Sequence, residues 1–354
     1  MKDHSFIERK LTSAGLVALQ RYYIEILFAG IASVLLLSTH DAAATTTSLD
    51  GSAACISLGG SWDNPTSTCS VHNLVINAGD SLDILSGVTL SIGPGDALDN
   101  SGTINILSGG HITATGARQG FVALTNRAGG EVNNQGSMAY ENCRMENSGT
   151  INNKGKISID NGELFNAASG TINNNLPGTI TASGVTGGVN RGTINNRGII
   201  TVTNEAGLEN DGTLNNNWSG HVDIAAGTEG FGNTGTLNNN GHFDAAAPVE
   251  NLGIINNRGS MSLLVFFTNS EGATLNNSGG GTFINQGGLA NFAIINNHAL
   301  IDNRNNQIDN ENSGTINNTF GTIDNRGGII NNHCAGTINN HGTILGNPVN
   351  NECP

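Results

Sequence analysis

The sequence predicts an all-β fold: a single-stranded, three-sided β-solenoid preceded by an N-terminal signal helix. A Gly-Thr-Ile-Asn-Asn phrase recurs every 18 to 23 residues, and apolar residues occupy three evenly spaced sites in each period. Asn and Gly supply 54 and 50 of the 354 residues, whereas aromatic residues make up only 5%. Such a period is typical of stacked repeats, in which each unit packs only on its neighbours.

The centre of the phrase is apolar in eleven successive repeats, with a mean spacing of about 20.6 residues. These central residues are Val132, Ile151, Ile172, Ile194, Leu214, Leu237, Ile255, Leu275, Ile295, Ile316 and Ile338. Each period holds two further apolar sites, such as Ile157 and Leu164 after Ile151. We therefore expect three short strands in each coil, separated by turns rich in Asn and Gly.

Side chains alternate along a strand, so Ile151 should point inward while Thr150 and Asn152 face solvent. At the corner that follows, we expect Asn153 and Gly155 to adopt a positive φ. Three buried side chains at about 2 kcal/mol each cannot offset the ordering of a whole coil at about 1–2 kcal/mol per residue. Stability must therefore come from stacking, which also brings Asn residues into ladders.

Four segments are expected along the chain. They are 1–44, a signal peptide or signal anchor; 45–72, a disulfide-stapled N-terminal cap; 73–346, a solenoid of about 13 coils; and 347–354, a C-terminal tail or cap. The basic residues up to Arg21, the apolar run Ile26–Leu37 and the Ala42–Ala44 site have the layout of a secretory signal. Loops are expected around Arg118–Phe121 and at Met138–Met145, where the polarity pattern breaks.

Five cysteines fit an exported protein. Cys55 and Cys69 enclose a short loop and are expected to form a disulfide, the alternative being two free thiols. Cys334 and Cys353 are about one period apart, so they could pair across adjacent coils. Cys143 is left over, and we expect it to be buried rather than available for intermolecular linkage.

The formal net charge is −14. A chain of this sign, without a basic stripe in its sequence, is not expected to bind nucleic acid or anionic membrane surfaces. Membrane contact would come only through the N-terminal segment, if it stays uncleaved. Open solenoid ends invite self-association, so end-to-end or lateral contacts between copies are expected partners, beside cell-surface proteins or glycans.

The repeats resemble those of Asn/Gly-rich microbial surface proteins, including filamentous-haemagglutinin-type adhesins. They are still more similar to the "GTINN" repeat surface proteins predicted in ammonia-oxidising archaea. The resemblance includes a cysteine segment with Gly59, Gly60 and Trp62, followed by the phrases at Leu74–Gly79 and Gly87–Ile92. It implies a surface location and, from the haemagglutinin coils, a right-handed solenoid.

A zinc site is one hypothesis for the outer surface. His221 and Asp223 recur one period later as His242 and Asp244, so four ligand-type side chains should share one face on adjacent coils. The alternative is a solvated polar patch that happens to repeat.

Weak calcium binding is a second hypothesis. It rests on Asp302 and Asp324 at equivalent positions, and on Asp309 and Glu311 in an oxygen-rich segment. No other cofactor is expected.

These observations favour a secreted, cell-surface protein with a structural or adhesive role and no catalytic activity. The alternative is a β-helix protein that binds or cleaves polysaccharides, although scattered acidic residues and sparse basic ones disfavour catalysis. An ice- or mineral-binding surface is a third possibility, but Thr201-Val202-Thr203 does not recur on neighbouring coils.

Overall fold

The computed structural model describes residues 44–118 and 120–352. These residues form an all-β solenoid of about 13 turns, built from three parallel sheets that each receive one strand from every coil. The predicted fold class is therefore confirmed. The predicted signal segment, 1–44, lies outside the described residues apart from Ala44.

Sheet A contains 14 strands, numbered here in chain order over all three sheets. Its strands are β1 (Thr46–Leu49), β5 (Ser81–Ile84), β8 (Thr103–Ile106), β11 (Glu131–Asn134), β14 (Thr150–Asn153), β17 (Thr171–Asn174), β20 (Thr193–Asn196), β23 (Thr213–Asn216), β26 (Thr236–Asn239), β29 (Ile254–Asn257), β32 (Thr274–Asn277), β35 (Ile294–Asn297), β38 (Thr315–Asn318) and β41 (Thr337–Asn340).

Sheet B contains 15 strands and follows sheet A in each coil. Its strands are β2 (Ser61–Asp63), β3 (Thr68–Val71), β6 (Thr89–Ile92), β9 (His111–Thr115), β12 (Ser137–Glu141), β15 (Lys156–Asp160), β18 (Thr179–Ser183), β21 (Ile199–Thr203), β24 (His221–Ile224), β27 (His242–Ala245), β30 (Ser260–Leu263), β33 (Thr282–Asn285), β36 (Leu300–Asp302), β39 (Thr322–Asn325) and β42 (Thr343–Gly346).

Sheet C completes the coil with 14 strands. They are β4 (Leu74–Ile76), β7 (Leu98–Asn100), β10 (Val122–Asn126), β13 (Arg144–Asn147), β16 (Glu163–Asn166), β19 (Gly188–Asn190), β22 (Gly207–Asn210), β25 (Gly230–Asn233), β28 (Val249–Asn251), β31 (Phe267–Asn269), β34 (Leu289–Asn291), β37 (Gln307–Asn310), β40 (Ile329–Asn332) and β43 (Val349–Asn351).

The core is a set of apolar columns that run along the solenoid axis. Ile151, Ile172 and Ile194 are in register on β14, β17 and β20 and are almost completely buried, as the sequence predicts. The core also accommodates larger side chains, because the Phe231 and Phe243 rings meet edge to face with centroids 5.0 Å apart. Identical spacing of the coils lets each inward residue pack on its counterparts above and below.

The expected corner conformation at Asn153 and Gly155 is wrong. Asn153 is the last residue of β14 and is completely buried, and neither residue has a positive φ. The reason is a hydrogen bond: Asn153 Nδ2 donates to Asn174 Oδ1 of the next coil at 2.7 Å. In the sheet A strands from β11 to β38, the second inward position thus holds an amide whose polar atoms are satisfied inside the core.

This contact repeats as a ladder at the corner between sheets A and B, and its members are buried as far as Asn318. Its members are Asn134, Asn153, Asn174, Asn196, Asn216, Asn239, Asn257, Asn277, Asn297, Asn318 and Asn340. Each Nδ2 donates to the Oδ1 of the following coil at 2.7–2.9 Å. Most members also donate to a backbone carbonyl where sheet B begins, as Asn153 does to Thr179 O.

A second ladder of the same kind follows the corner between sheets C and A. Its members are Asn100, Asn126, Asn147, Asn166, Asn190, Asn210, Asn233, Asn251, Asn269, Asn291, Asn310, Asn332 and Asn351. The first member, Asn100, pairs in register with Ile76 of the preceding coil. Because Ile76 has no side-chain amide, Asn100 Oδ1 has no hydrogen-bond donor. A short third ladder, Asn285 to Asn303 to Asn325, lies at the corner between sheets B and C.

The N-terminal cap is built into the sheets rather than set apart from them. Strands β1 and β3 already pair in parallel with β5 and β6. The backbone pairing of the sheets therefore begins at Thr46, before the predicted boundary at 73, and continues to Asn351. Helix α1 (Ser52–Ser57) and the antiparallel pair β2–β3 cover this end. The Cys55–Cys69 disulfide ties the helix to β3, as predicted.

The predicted protrusion at Met138–Met145 is wrong. Met138, Tyr140 and Met145 are buried on β12 and β13, because large side chains there occupy ordinary inward positions. Cys143 is a buried free thiol, as expected, and burial raises its pKa to about 11. The extra length near Arg118–Phe121 is accommodated before β10, whose register shifts between Val122 and Leu124.

Two adjacent asparagines of β20 allow the contribution of the buried ladder to be compared with that of the surface row. Replacing Asn196 with Ala removes the acceptor of one Asn174 N–H and the donor to the Asn216 oxygen inside the core, so we expect a loss of about 2 kcal/mol or more in the free energy of unfolding. Asn195→Ala removes two similar bonds in a half-exposed row, where water can replace them, and should cost less than about 1 kcal/mol. Urea unfolding followed by circular dichroism measures both; equal losses would contradict a special role for the buried ladder.

Tyr140 provides a complementary test, because its buried hydroxyl has no hydrogen-bond partner. We expect Tyr140→Phe to leave the unfolding free energy unchanged or to raise it by up to about 1 kcal/mol, since an unpaired buried polar group is lost. Tyr140→Ala, which also removes the ring, should cost about 3–5 kcal/mol. A clear loss of stability in the Phe variant, measured by the same urea titration, would show that the hydroxyl is satisfied.

Candidate functional site

The outward surface of sheet A repeats one pair of side chains over many coils. Ten successive strands, β14 to β41, begin with a β-branched residue that faces outward; eight are Thr, and the other two are Ile254 and Ile294. The third residue of every one of these strands is Asn, as in Thr150 and Asn152 of β14. We call these two rows the Thr/Asn face. None of its outward residues is ionisable.

The Asn row of this face forms its own ladder along the surface. Asn152 Nδ2 donates to Asn133 Oδ1, and Asn173 Nδ2 donates to Asn152 Oδ1, each at 2.9 Å. These donors point toward the N-terminal end of the solenoid, opposite to the buried ladders. Asn152 also donates to Glu131 Oε1 at 2.9 Å. An amide such as Asn195 uses one N–H and one acceptor in the ladder, so further polar contacts with a ligand or with water stay open to it.

The four residues of the zinc hypothesis lie together on sheet B. His221 pairs in register with His242, and Asp223 pairs with Asp244, on β24 and β27. His221 Nε2 lies 3.1 Å from Asp244 Oδ2, and the two imidazole centroids are 6.1 Å apart. The predicted juxtaposition is therefore correct.

Metal binding by these residues stays a prediction. In the stretches that the structure covers, no three or more His, Cys, Asp or Glu side chains are arranged to hold a metal ion. Binding of zinc would thus require the side chains to move from their present rotamers. Calorimetric titration of zinc into the protein and into a His242→Ala variant tests this hypothesis.

The calcium hypothesis divides between two faces. Asp302 and Asp324 are in register on sheet B, whereas Asp309 lies on sheet C and Glu311 in the turn after it. The structure therefore does not bring the four residues into one group. Asp309 accepts hydrogen bonds from Gln307 and from Asn331 of the next coil, and Glu311 lies 3.9 Å from His333.

Arginine side chains already occupy the Asp302 and Asp324 carboxylates. Arg304 donates to both oxygens of Asp302, at 2.9 and 2.6 Å, and Arg326 does the same for Asp324, at 2.9 and 2.7 Å. Arg304 also lies 3.8 Å from Asp324. A calcium ion would have to compete with these bidentate pairs.

The Arg326 guanidinium lowers the pKa of Asp324 to about 2, and Arg304 lowers the pKa of Asp302. Both carboxylates are thus held ionised at neutral pH, which does not suit them to act as a general acid. The sequence reasoning missed these arginines, although a repeated Ile-Asp-Asn-Arg phrase at 301–304 and 323–326 signals them.

A further polar cluster on sheet C was also missed. The Arg144 guanidinium lies 3.9 Å from the centroid of the Phe165 ring, and Arg191 approaches the same ring at 5.2 Å. Arg144 also lies 3.6 Å from Glu163. The residues come from three successive coils, so only a correct register could have revealed the group.

The second predicted disulfide joins Cys334 to Cys353, and Cys353 lies outside the described residues. This pair stays a prediction. Across the described part of the chain, no helix combines the length and apolar character needed to cross a bilayer.

Comparison with known proteins finds a distant likeness in structure. No protein-family model and no curated protein matches the chain. The crystal structure of a TibC-catalysed, hyper-glycosylated fragment of TibA, residues 55–350, is similar with a TM-score of 0.31 and 14% sequence identity; the match covers 88% of this chain and 95% of that one. Similarity at this level carries no information about function, which must be inferred from the chain's own residues.

The pair of Asp324 and Arg326 can be tested by titration. Replacing Arg326 with Gln should raise the pKa of Asp324 from about 2 toward its ordinary 3.8, because the guanidinium that stabilises the ionised form is gone. Since the folded-state pKa is lowered, the pair stabilises the fold above about pH 4, and this contribution is lost as pH falls toward 2. Carbon-detected NMR titration of the carboxyl groups measures the shift, and an unchanged Asp324 pKa would contradict the assigned cause.

Proposed function

We propose that this chain is an extracellular structural and adhesive repeat protein of the cell surface, and that it acts without catalysis. The observation that carries the proposal is the Thr/Asn face. Ten successive coils present an uncharged β-branched residue, Thr in eight of them, and an Asn at the same two outward positions. Multivalent contact with an extended partner requires such a regular surface, because many weak and equivalent contacts can then form together.

Three further features support an extracellular setting. The Cys55–Cys69 disulfide is of a kind that persists in oxidising compartments. The N-terminal 44 residues have the sequence layout of a secretory signal. The resemblance of the repeats to "GTINN" surface proteins and to filamentous-haemagglutinin-type adhesins points the same way.

The stacking of the coils supports the structural part of the proposal. Three parallel sheets and the buried Asn ladders connect every coil to the next by backbone and side-chain hydrogen bonds. At about 4.8 Å per coil, 13 coils form a body about 60 Å long. Such a body can hold a binding surface away from a cell or join others in a layer.

Localisation and adhesion can be measured separately in source cells. We expect an antibody against the solenoid to label intact cells and external protease to remove that label. Beads coated with the purified protein should adhere to cells or to their extracted surface polymers, whereas beads coated with unfolded protein should not. Detection only in the cell interior would refute the proposal, and turnover of a polysaccharide by the purified protein would support the enzymatic alternative.

A further inference from the structure

The turns that join sheet A to sheet B form an exposed ridge along one edge of the Thr/Asn face. We call the turn residues of the ten coils from β14 to β41 the corner ridge. Cationic and apolar side chains are interleaved along it in the order Lys154, Leu176, Arg197, Trp218, Arg258 and Phe320. No Asp or Glu occurs in any of these ten turns.

The cations of the corner ridge are not used in ion pairs. Within the described chain, no carboxylate lies within 4.0 Å of Lys154, Arg197 or Arg258. By contrast, arginines at other places contact acidic side chains: Arg127, Arg144, Arg191, Arg304 and Arg326. In a protein of net charge −14, the ridge is therefore a row of unpaired positive charges with no acidic residue among them.

The apolar members of the ridge extend into solvent. Leu176 is 59% exposed, Trp218 is 80% exposed and Phe320 is 86% exposed. They lie in separate coils with polar or charged turns between them, so they do not form one continuous apolar patch. Such isolated apolar side chains suit a ligand that alternates apolar and charged groups better than they suit a bilayer, which favours a continuous apolar face.

The adjoining Thr/Asn face adds hydrogen-bonding groups without charge. The hydroxyls of its threonines, such as Thr193 and Thr213, donate no hydrogen bond within the described chain, while the Asn amides beside them keep a free N–H. These groups can bind hydroxyl oxygens at intervals of about 4.8 Å along the axis.

We propose that the corner ridge and the Thr/Asn face together bind an acidic polysaccharide lying along the solenoid axis. Carboxylates of uronate-type sugars pair with Lys154, Arg197 and Arg258, and the C–H faces of sugar rings pack on Trp218 and Phe320. Sugar hydroxyls bind the Thr/Asn face. This inference rests on the proposed adhesive function and names its ligand class.

The test uses the folded solenoid with a uronate homopolymer, polygalacturonate, and a neutral polymer, dextran. We expect biolayer interferometry to show binding of polygalacturonate that weakens as salt rises, and little binding of dextran. The double variant Arg197→Glu/Arg258→Glu should lower the affinity by about tenfold or more, because two attractive contacts become repulsive. Trp218→Ala should lower the affinity without changing the salt dependence.

Matched control variants lie on other corners. Arg118→Glu changes an exposed arginine in the turn between sheets B and C, and Phe292→Ala removes an exposed ring at the corner between sheets C and A. Both should bind like the unmodified protein, and circular dichroism should show that every variant is folded.

Retained affinity in the folded Arg197→Glu/Arg258→Glu variant would overturn the inference, and so would equal binding of dextran. Binding only to vesicles that contain phosphatidylserine, or only to single-stranded DNA, would overturn it in favour of a membrane or nucleic-acid surface. Any of these results could occur while the protein still labels the cell surface and its beads still adhere. Failure of the ligand assignment is therefore distinguishable from failure of the proposed function.

Discussion

This fold depends on one interaction: the hydrogen bond between the side-chain amides of buried asparagines at equivalent positions in successive coils. An amide buried without partners would destabilise the core, whereas a continuous ladder satisfies each Nδ2 and Oδ1 with a neighbour of the same kind. The ladders at two corners run through most of the solenoid. They fix the register of the sheet A and sheet C strands that carry them, because a slip of one residue would move the asparagines out and the next residues in.

Much of the fold could be predicted from the sequence, since period and alternation depend only on residue order. The column of Ile151, Ile172 and Ile194 and the three strands per coil follow from spacing alone. The role of Asn153 could not be read in the same way, because Asn is common both at corners with positive φ and in ladders. Only the stacking of coils shows that its amide meets Asn174. The burial of Met138 and Tyr140 was missed for a related reason: a local change in composition suggested a loop where the inward positions had merely received larger side chains.

The candidate sites show where sequence reasoning reaches its limit. Register alone correctly brought His221 to His242 and Asp302 to Asp324. It did not reveal that Arg304 and Arg326 reach back to the carboxylates two residues before them, since this depends on rotamers. It also did not reveal the corner ridge, whose cations are about 40 residues or more apart in the sequence yet lie on one edge. The chain is acidic overall, and its unpaired positive charge becomes visible only when the turns are aligned.

The coils differ in length almost entirely at their turns. The corner after Asn196 needs only Arg197 and Gly198 before sheet B, whereas the corner after Asn174 accommodates four residues, from Asn175 to Gly178. Replication slippage that adds or deletes one whole repeat would therefore leave every surviving side chain in its column. A gene of this kind can lengthen or shorten its product in units of one coil. Turn sequences can diversify while the strands between them keep the same register.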